Sequence, residues 1–386
     1  MNNRKLHAGD AQMPELPMET TYFPTNKEAI DKRIASINPI AYAKTRNFIN
    51  GAVTYLSPYL SRGFISLPQV KAQILQNNTK WQAEKLLQEL AWREYFQRVW
   101  QHLGNGILND IKQPQAKVAN RFIPIAIINH QTQILGIDNG INNLYKTGYM
   151  HNHVRMYTAM LTCNIAQSHW LLPAKWMYYH LLDGDPASNM LSWQWVAGSF
   201  SSKKYYANQE NIEKYTGTKQ QPSYLNSSYE AIAEMPIPNA LAAISELNLT
   251  TQLPTTTALN LNPELPLLVY NSFHTNPNWK TSEKANRVLL LEPDHFAKFA
   301  VSEKVLNFII DLAVKNIPDI QIFCGSFTAL EKLYFDLNNK GKIYFLEHPT
   351  TQHYRGIKEE REWLFPQVSG YFPSFFSYWK KCEKWL

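Results

Sequence analysis

At 386 residues the chain exceeds the usual single-domain size, so two domains are expected. Lys+Arg 38 against Asp+Glu 31 leaves a net charge of +7, which suits a polyanionic partner without assigning one. Cys163, Cys324 and Cys382 are odd in number and widely spaced, which excludes a disulfide framework and a four-thiolate iron-sulfur cluster, fits a reducing compartment such as the cytoplasm, and leaves no metal site expected.

Residues 1 to 30 read as an extended N-terminal arm, because Pro14, Pro17 and Pro24 break any helix. The first 25 residues are polar and lack an apolar h-region, so no signal peptide or membrane span is expected. The helical pattern sets in near Lys27, and residues 31–215 are assigned to an all-helical domain. Within it, Tyr42 leads into Thr54-Tyr55-Leu56-Ser57-Pro58. Ser57 followed by Pro58 predicts an N-cap and first-turn pair, read either as an ordinary cap or as a phosphate site with two hydroxyls beside it. Ser66-Leu67-Pro68-Gln69 predicts the next helix start as a capping box.

The segment from Trp81 to His102 predicts a long helix, on which Glu89, Trp92 and Arg93 share one face at i, i+3 and i+4. Taken alone, the trio reads as an ion pair packed under a ring. Eleven Trp in a chain that is 13 % aromatic favour a thick helical core, with stacking or redox roles for a few rings. From Gly104 to Asn143 the pattern is irregular, and no Trp occurs between Trp100 and Trp170.

Two runs then carry the strongest signal: Tyr149-Met150-His151-Asn152-His153-Val154-Arg155-Met156, and Asp183-Gly184-Asp185-Pro186-Ala187-Ser188-Asn189-Met190-Leu191-Ser192-Trp193-Gln194-Trp195. Asn152, Arg155 and Met156 fall on one helical face, and Asp185, Asn189 and Trp193 recur every four residues. Buried polar groups without partners cost roughly 1–3 kcal/mol each. A large heteroaromatic ligand would supply the partners; the plain alternative is a Trp-rich core with Arg155 paired to Asp183 or Asp185.

These two runs, in this order, resemble the flavin-binding helical domain of the photolyase and cryptochrome family. Tyr149 stands where a Trp is common, and His153 where the bacterial repair enzymes often have Arg. The resemblance implies FAD, active in its reduced form, held by Tyr42, Thr54, Leu56, Ser57, Arg93, Asn152, Arg155, Asp183, Asp185 and Asn189. Asn189 would face the flavin N5, and the Arg155 to Asp183 pair would tune the charge over the ring. It implies DNA carrying a pyrimidine dimer as partner, with Glu89 and Asn152 hydrogen-bonding the dimer carbonyls and Trp92, Met156 and Trp195 as apolar walls. Arg93 would lie on the flavin and DNA side. Trp193 and Trp170 match the inner and middle members of an electron relay whose outer Trp is missing here. The relay would stop at two members or continue through Trp176, Tyr178 or Tyr179.

After the motifs, Lys203 and Lys204 are either phosphate contacts or a solvated surface. Residues 216–262, rich in Thr, Asn, Pro and Gln, read as a wrapping linker with at most short helices. Strand candidates follow at Leu267-Leu268-Val269-Tyr270, Val288-Leu289-Leu290-Leu291, Ile320-Gln321-Ile322-Phe323 and Ile343-Tyr344-Phe345-Leu346. Helical patterns lie between the later ones, so residues 263–350 predict a smaller α/β domain with a parallel sheet. No Gly-x-Gly-x-x-Gly is present to mark a dinucleotide site. Residues 351–386 read as an aromatic, basic tail packed back onto a domain. The overall expectation is α + α/β, with the α/β part placed after the helical part rather than before it as is usual in the family.

The function implied is light-driven splitting of cyclobutane pyrimidine dimers, a deoxyribodipyrimidine photolyase-like carbon-carbon lyase acting on bases flipped out of the duplex. An antenna chromophore is possible and unidentified; no protein partner is implied and a monomer is expected. The rivals are an FAD-binding blue-light photoreceptor without repair activity, six-four photoproduct repair using His151 or His153, and a helical nucleic-acid-binding module that has lost flavin.

Overall fold

The computed structural model describes residues 23–256 and 258–386. Residues 1–22 of the expected arm lie outside the described residues, and its last part is already helical from Lys27. Four short helices, α1 (Lys27–Ala35), α2 (Pro39–Thr45), α3 (Ser57–Ser61) and α4 (Leu67–Gln76), lead to α5 (Lys80–Leu103). A reciprocal box of Thr79 and Gln82 opens α5, and Gly104, with φ 52°, closes it. After β1 (Ile123–Pro124) come α6 (Ile125–Ile128), α7 (Leu135–Thr147) and α8 (Asn152–Met160), the last running on into a π-helical turn at Leu161–Ile165. Then α9 (Leu171–His180), α10 (Pro186–Ala197) and α11 (Gln209–Thr216) complete the helical part. Helices α5, α8 and α9 pack around α10, nine of whose twelve residues are buried.

The segment read as a linker contains only α12 (Tyr229–Glu234) and α13 (Asn239–Ala242) as helices. It is stitched down by β2 (Ile244–Ser245), antiparallel to β1, and by the buried side chains Leu225, Ile232 and Leu241.

The second half builds β3 (Leu267–Tyr270), β4 (Asn286–Leu291), α14 (Pro293–Lys298), α15 (Glu303–Asn316), β5 (Ile320–Cys324), α16 (Phe327–Leu337), β6 (Ile343–Leu346), β7 (Ile357–Glu359) and α17 (Phe375–Cys382). The five strands β3–β7 form one parallel sheet in the order β5-β4-β3-β6-β7. The fifth strand corrects the reading of residues 351–386 as a tail, since the sheet continues through Glu359. The strand order reverses between β3 and β6, which makes the ends of those two strands the topological switch point of the sheet.

Alternation along the central strands decides which side meets the helical part. Leu267, Val269, Val288 and Leu290 pack with α16, whereas Leu268, Tyr270, Leu289 and Leu291 join the core shared with α15 and the first half. Helix α15 is the wedge between the halves: Phe308 meets Tyr59 with ring centroids 5.9 Å apart, and Ser302 N donates to Tyr179 O at 2.9 Å. Beside it, the fully buried Arg62 donates from Nε to Leu182 O at 3.0 Å, and its own carbonyl accepts from Thr275 N and Oγ1, both at 3.0 Å. Gly63 follows at φ +58°, where a Cβ would collide with the Phe273 carbonyl oxygen. Backbone from the two halves therefore meets directly there.

Candidate active site

The Asp183-Gly184-Asp185 turn is pinned from several elements. Arg155 on α8 donates from one terminal nitrogen to both oxygens of Asp183, at 3.1 and 2.9 Å, and from Nε to Met150 O at 2.7 Å. Ser61 Oγ donates to Asp183 O at 2.8 Å, and Leu182 N to Gly148 O at 2.8 Å. Asp185 is not a rung of the helical stripe. It is the N-cap of α10, accepting from Ser188 N at 2.7 Å on one oxygen and from Gln97 Nε2 at 2.6 Å on the other. Arg93 stands 3.8 Å from it. Each carboxylate of the turn thus has its own set of donors, which is what keeps two buried acids tolerable side by side.

Asn189, buried on α10, donates its amide to Ala174 O at 2.8 Å and leaves its oxygen without a partner among the described residues. Trp193, one turn on, is buried. Trp170 is fully buried; its indole donates to Asp110 at 2.6 Å, and its ring meets only His169 among the described rings. Of the rings considered for relay continuation, Trp176 donates to Tyr145 Oη at 3.1 Å, Tyr178 lies against Phe299 and Tyr179 against His180.

Glu89 does not pair with Arg93. It receives Lys85 at 2.8 Å and Arg46 at 3.5 Å, and its charge adds to burial in raising the Tyr42 hydroxyl pKa. This corrects the plain reading of a Glu89–Arg93 pair: the partner within α5 is Lys85, one turn earlier. One face of Trp92 is covered by Phe375 of α17, with ring centroids 3.7 Å apart and planes at 11°. Ser57 likewise departs from expectation. It is the first residue of a five-residue helix whose N-cap position is Leu56, with no side-chain cap. The Ser57 hydroxyl makes no hydrogen bond among the described residues, and Thr54 Oγ1 only accepts from Leu56 N at 3.4 Å. Ser66, by contrast, caps α4, accepting from Gln69 N at 3.3 Å, though the reciprocal Gln69 half of the expected capping box is not made among the described residues.

On α8, Arg155 turns inward while Asn152 is exposed, its amide 3.9 Å from the sulfur of the half-buried Met156. His151 caps the helix through Nδ1, and its buried Nε2 has no partner. Burial, then the charges of His153 and Arg155, pull its pKa down to about 4. Trp195 is partly exposed and starts a row of rings, 6.0 Å to Tyr205 and 6.5 Å from there to Tyr157. The structure thus pairs the half-buried Arg155 with the buried Asp183 and sets the half-buried Arg93 near the buried Asp185, while Asn189, one turn into α10, is buried against Ala174. Asn152, Met156 and Trp195 stay nearer solvent, and Glu89 and Trp92 are engaged by Arg46, Lys85 and Phe375.

A cavity of about 260 Å³ lies beyond Arg93, between the helical part and the ends of β3, β6 and β7. Gln97 links Asp185 to it: its oxygen accepts from Arg361 at 2.7 Å, and Arg361 Nε donates to Glu347 at 2.8 Å. His274, also on its wall, has neither ring nitrogen hydrogen-bonded and is pulled down to about 3 by burial. Neither Gln97 nor Arg361 carries a sequence signal; they are 264 positions apart and meet only because the sheet docks on α5.

FAD fits this donor set. The Asn189 oxygen, the Ser57 hydroxyl, the orphaned Ser188 Oγ and the incompletely engaged Arg93 are the groups a flavin and its pyrophosphate would use.

Residues 86–223 match the family described as the FAD binding domain of DNA photolyase. Over 206 residues the chain is 30 % identical to a deoxyribodipyrimidine photo-lyase of Synechococcus sp., covering 49 % of this chain and 40 % of that protein. It is 31 % identical over 168 residues to a cryptochrome DASH of Danio rerio, covering 41 % and 32 %. Among solved structures, a bacterial class III photolyase from Agrobacterium tumefaciens is 27 % identical with a TM-score of 0.44, covering 51 % of this chain and 44 % of that one. The chain therefore spans less than half the length of the relatives it matches. Residues 86–223, which carry both motifs, are thus similar to the FAD binding domain of DNA photolyase.

Proposed function

We propose that this protein repairs DNA by light, splitting cyclobutane pyrimidine dimers with reduced FAD. The observation that carries the reading is the division of labour on α8, which turns Arg155 inward onto Asp183 and presents Asn152 and Met156 outward. When bound, FAD supplies an electron to the dimer under blue light and recovers it after the two carbon-carbon bonds open. With FAD bound, Asn189 would offer its unpartnered oxygen to the flavin, and the Arg155–Asp183 pair would set the charge beside the ring. Asn152 hydrogen-bonds the dimer carbonyls, with Glu89 joining once it exchanges Arg46 for substrate, and Met156, Trp195 and the open face of Trp92 exclude water. Trp193 and Trp170 are the rings that would relay electrons towards this site if the flavin were oxidised. Arg93 neutralises pyrophosphate.

The cavity at the switch point is the place we assign to an antenna chromophore, should one be bound, because it opens at the ends of β3 and β6 and reaches Arg93 and Asp185. On this reading the protein works as a monomer in the cytoplasm, in keeping with three cysteines of which none forms a disulfide.

A second reading, a flavin photoreceptor without repair, is favoured by Phe375 lying flat on Trp92 and by the lack of a Trp between Trp100 and Trp170. Six-four repair has less support, because burial lowers the pKa of both candidate histidines, His151 and His153, and His151 is engaged as the cap of α8. The test is an absorbance spectrum followed by blue-light illumination with an oligonucleotide carrying one cyclobutane thymine dimer. Bound flavin with light-dependent recovery of thymine supports repair. Flavin that photoreduces while the dimer persists supports the photoreceptor, and a colourless protein that refuses added FAD defeats both.

A further inference from the structure

The C-terminal helix lies outside the matched flavin-binding segment, yet its first residue touches the expected substrate wall. Phe375 is buried on Trp92, and the next residue, Phe376, is 72 % exposed. Phe376, Lys380 and Lys384 follow one another at i, i+4 and i+8, so they form a single outward stripe on α17 and the turn after it. All three are exposed, as is Lys381. None of the three lysines pairs with a carboxylate among the described residues, and Glu383 is the sole acid between Phe375 and Leu386. At the far end Lys71 donates to the Trp385 carbonyl at 3.1 Å and Lys80, at the α5 start, donates to the Leu386 carbonyl, which ties the end of this stripe to the start of α5, where Trp81 is 84 % exposed. The surface thus alternates ammonium groups that have no carboxylate partner with exposed aromatic rings, Lys384 lying 5.4 Å over the Trp385 ring, and it runs from beside Trp92 towards the C-terminal end of α17.

We propose that this stripe is a track for a single DNA strand, the one that continues from the flipped dimer. Lysines without carboxylate partners match a phosphodiester chain, and stacking on Phe376 and the indoles accepts any base, so the track reads no sequence. The proposal rests on the DNA-repair reading for its direction, since the track starts at the wall assigned to the lesion. Its residues take no part in flavin binding. An anionic membrane surface is the competing occupant for exposed indoles beside lysines.

The test uses the full chain carrying FAD and the triple variant Phe376→Ala, Lys380→Ala, Lys384→Ala, all surface changes. Fluorescence anisotropy with a labelled, undamaged oligothymidylate is followed against salt. The variant should bind roughly tenfold more weakly, and the slope of log K on log salt should fall by about 1.4, two phosphates at about 0.7 each. Its flavin spectrum and light-driven flavin reduction should match the unmodified protein. Unchanged affinity and slope overturn the track, even if the protein repairs dimers. A variant that loses sedimentation with phosphatidylserine vesicles but keeps its oligonucleotide affinity also overturns it, in favour of a membrane. Strand binding through these residues by a protein that repairs nothing would uphold the track and defeat the repair reading instead.

Discussion

Gln97 donates to the buried Asp185 carboxylate at 2.6 Å, the shortest polar link between α5 and the α10 cap. Because the other end of the same amide accepts from Arg361, one neutral side chain couples the candidate flavin site to the sheet. Gln97→Leu should destabilise the protein by about 1.5–3 kcal/mol, the worth of a hydrogen bond to a charged group, and lower the FAD retained through gel filtration. Thermal melting with the flavin-to-protein absorbance ratio checks it; unchanged values would mean that Arg93 alone satisfies Asp185.

Glu94 is fully buried on α5 and receives the backbone N–H groups of Leu364 and Phe365 and, at 2.5 Å, the hydroxyl of Tyr378. Burial raises its carboxyl pKa against the opposing pull of these donors. Glu94→Ala strands three donors at once and should cost about 3 kcal/mol or more, whereas Tyr378→Phe should cost about 1 kcal/mol. Urea unfolding midpoints of both variants provide the comparison, and equal losses would contradict the shared-acceptor picture.

Burial pulls His274 to about 3 and His295 to about 4, the latter helped by the charges of Arg62 and Lys298. Both are therefore neutral when folded and would take up a proton on unfolding at acidic pH. Their stabilisation is complete above the ordinary histidine pKa near 6.5 and fades as pH falls towards 4 and 3. Each should cost about 1.4 kcal/mol per pH unit in that window. Melting temperatures at pH 7.5 and 5.5 should differ accordingly, and His274→Phe, placed between the Tyr270 and Trp279 rings, should flatten the profile.

Trp193→Phe should leave FAD bound and slow light-driven flavin reduction with an external thiol at least tenfold. Trp170→Phe should do the same and also free Asp110 of its indole partner, losing about 1 kcal/mol. Absorbance during blue illumination reads the first effect; loss of flavin from Trp193→Phe would assign that ring a structural role.

The legible part of this protein was whatever depends on neighbours in sequence. Strands at Leu267–Tyr270 and Ile343–Leu346 announce themselves because central parallel strands are apolar on both faces. Ile357–Glu359 was hidden because an edge strand with Lys358 and Glu359 looks like any polar loop. Arg155 with Asp183 was one of two pairings the motifs allowed, and geometry chose it. Ser57 failed as a cap because Leu56 already holds the pre-helical position. Glu89 has a partner at helical spacing in Lys85, but its contact with Arg46, that of Trp92 with Phe375 and that of Gln97 with Arg361 span distances no periodicity reports.

The burial of Glu94 has a consequence for the growing chain. A ribosome releases α5 and both flavin motifs long before Leu364, Phe365 and Tyr378 emerge. Until then the carboxylate has no donors in its final pocket and must stay hydrated, which holds that side of α5 ajar. Closure of that side of α5 therefore waits for residues 364–378, and a chain cut before Leu364 would contain both flavin motifs and still leave Glu94 without these donors.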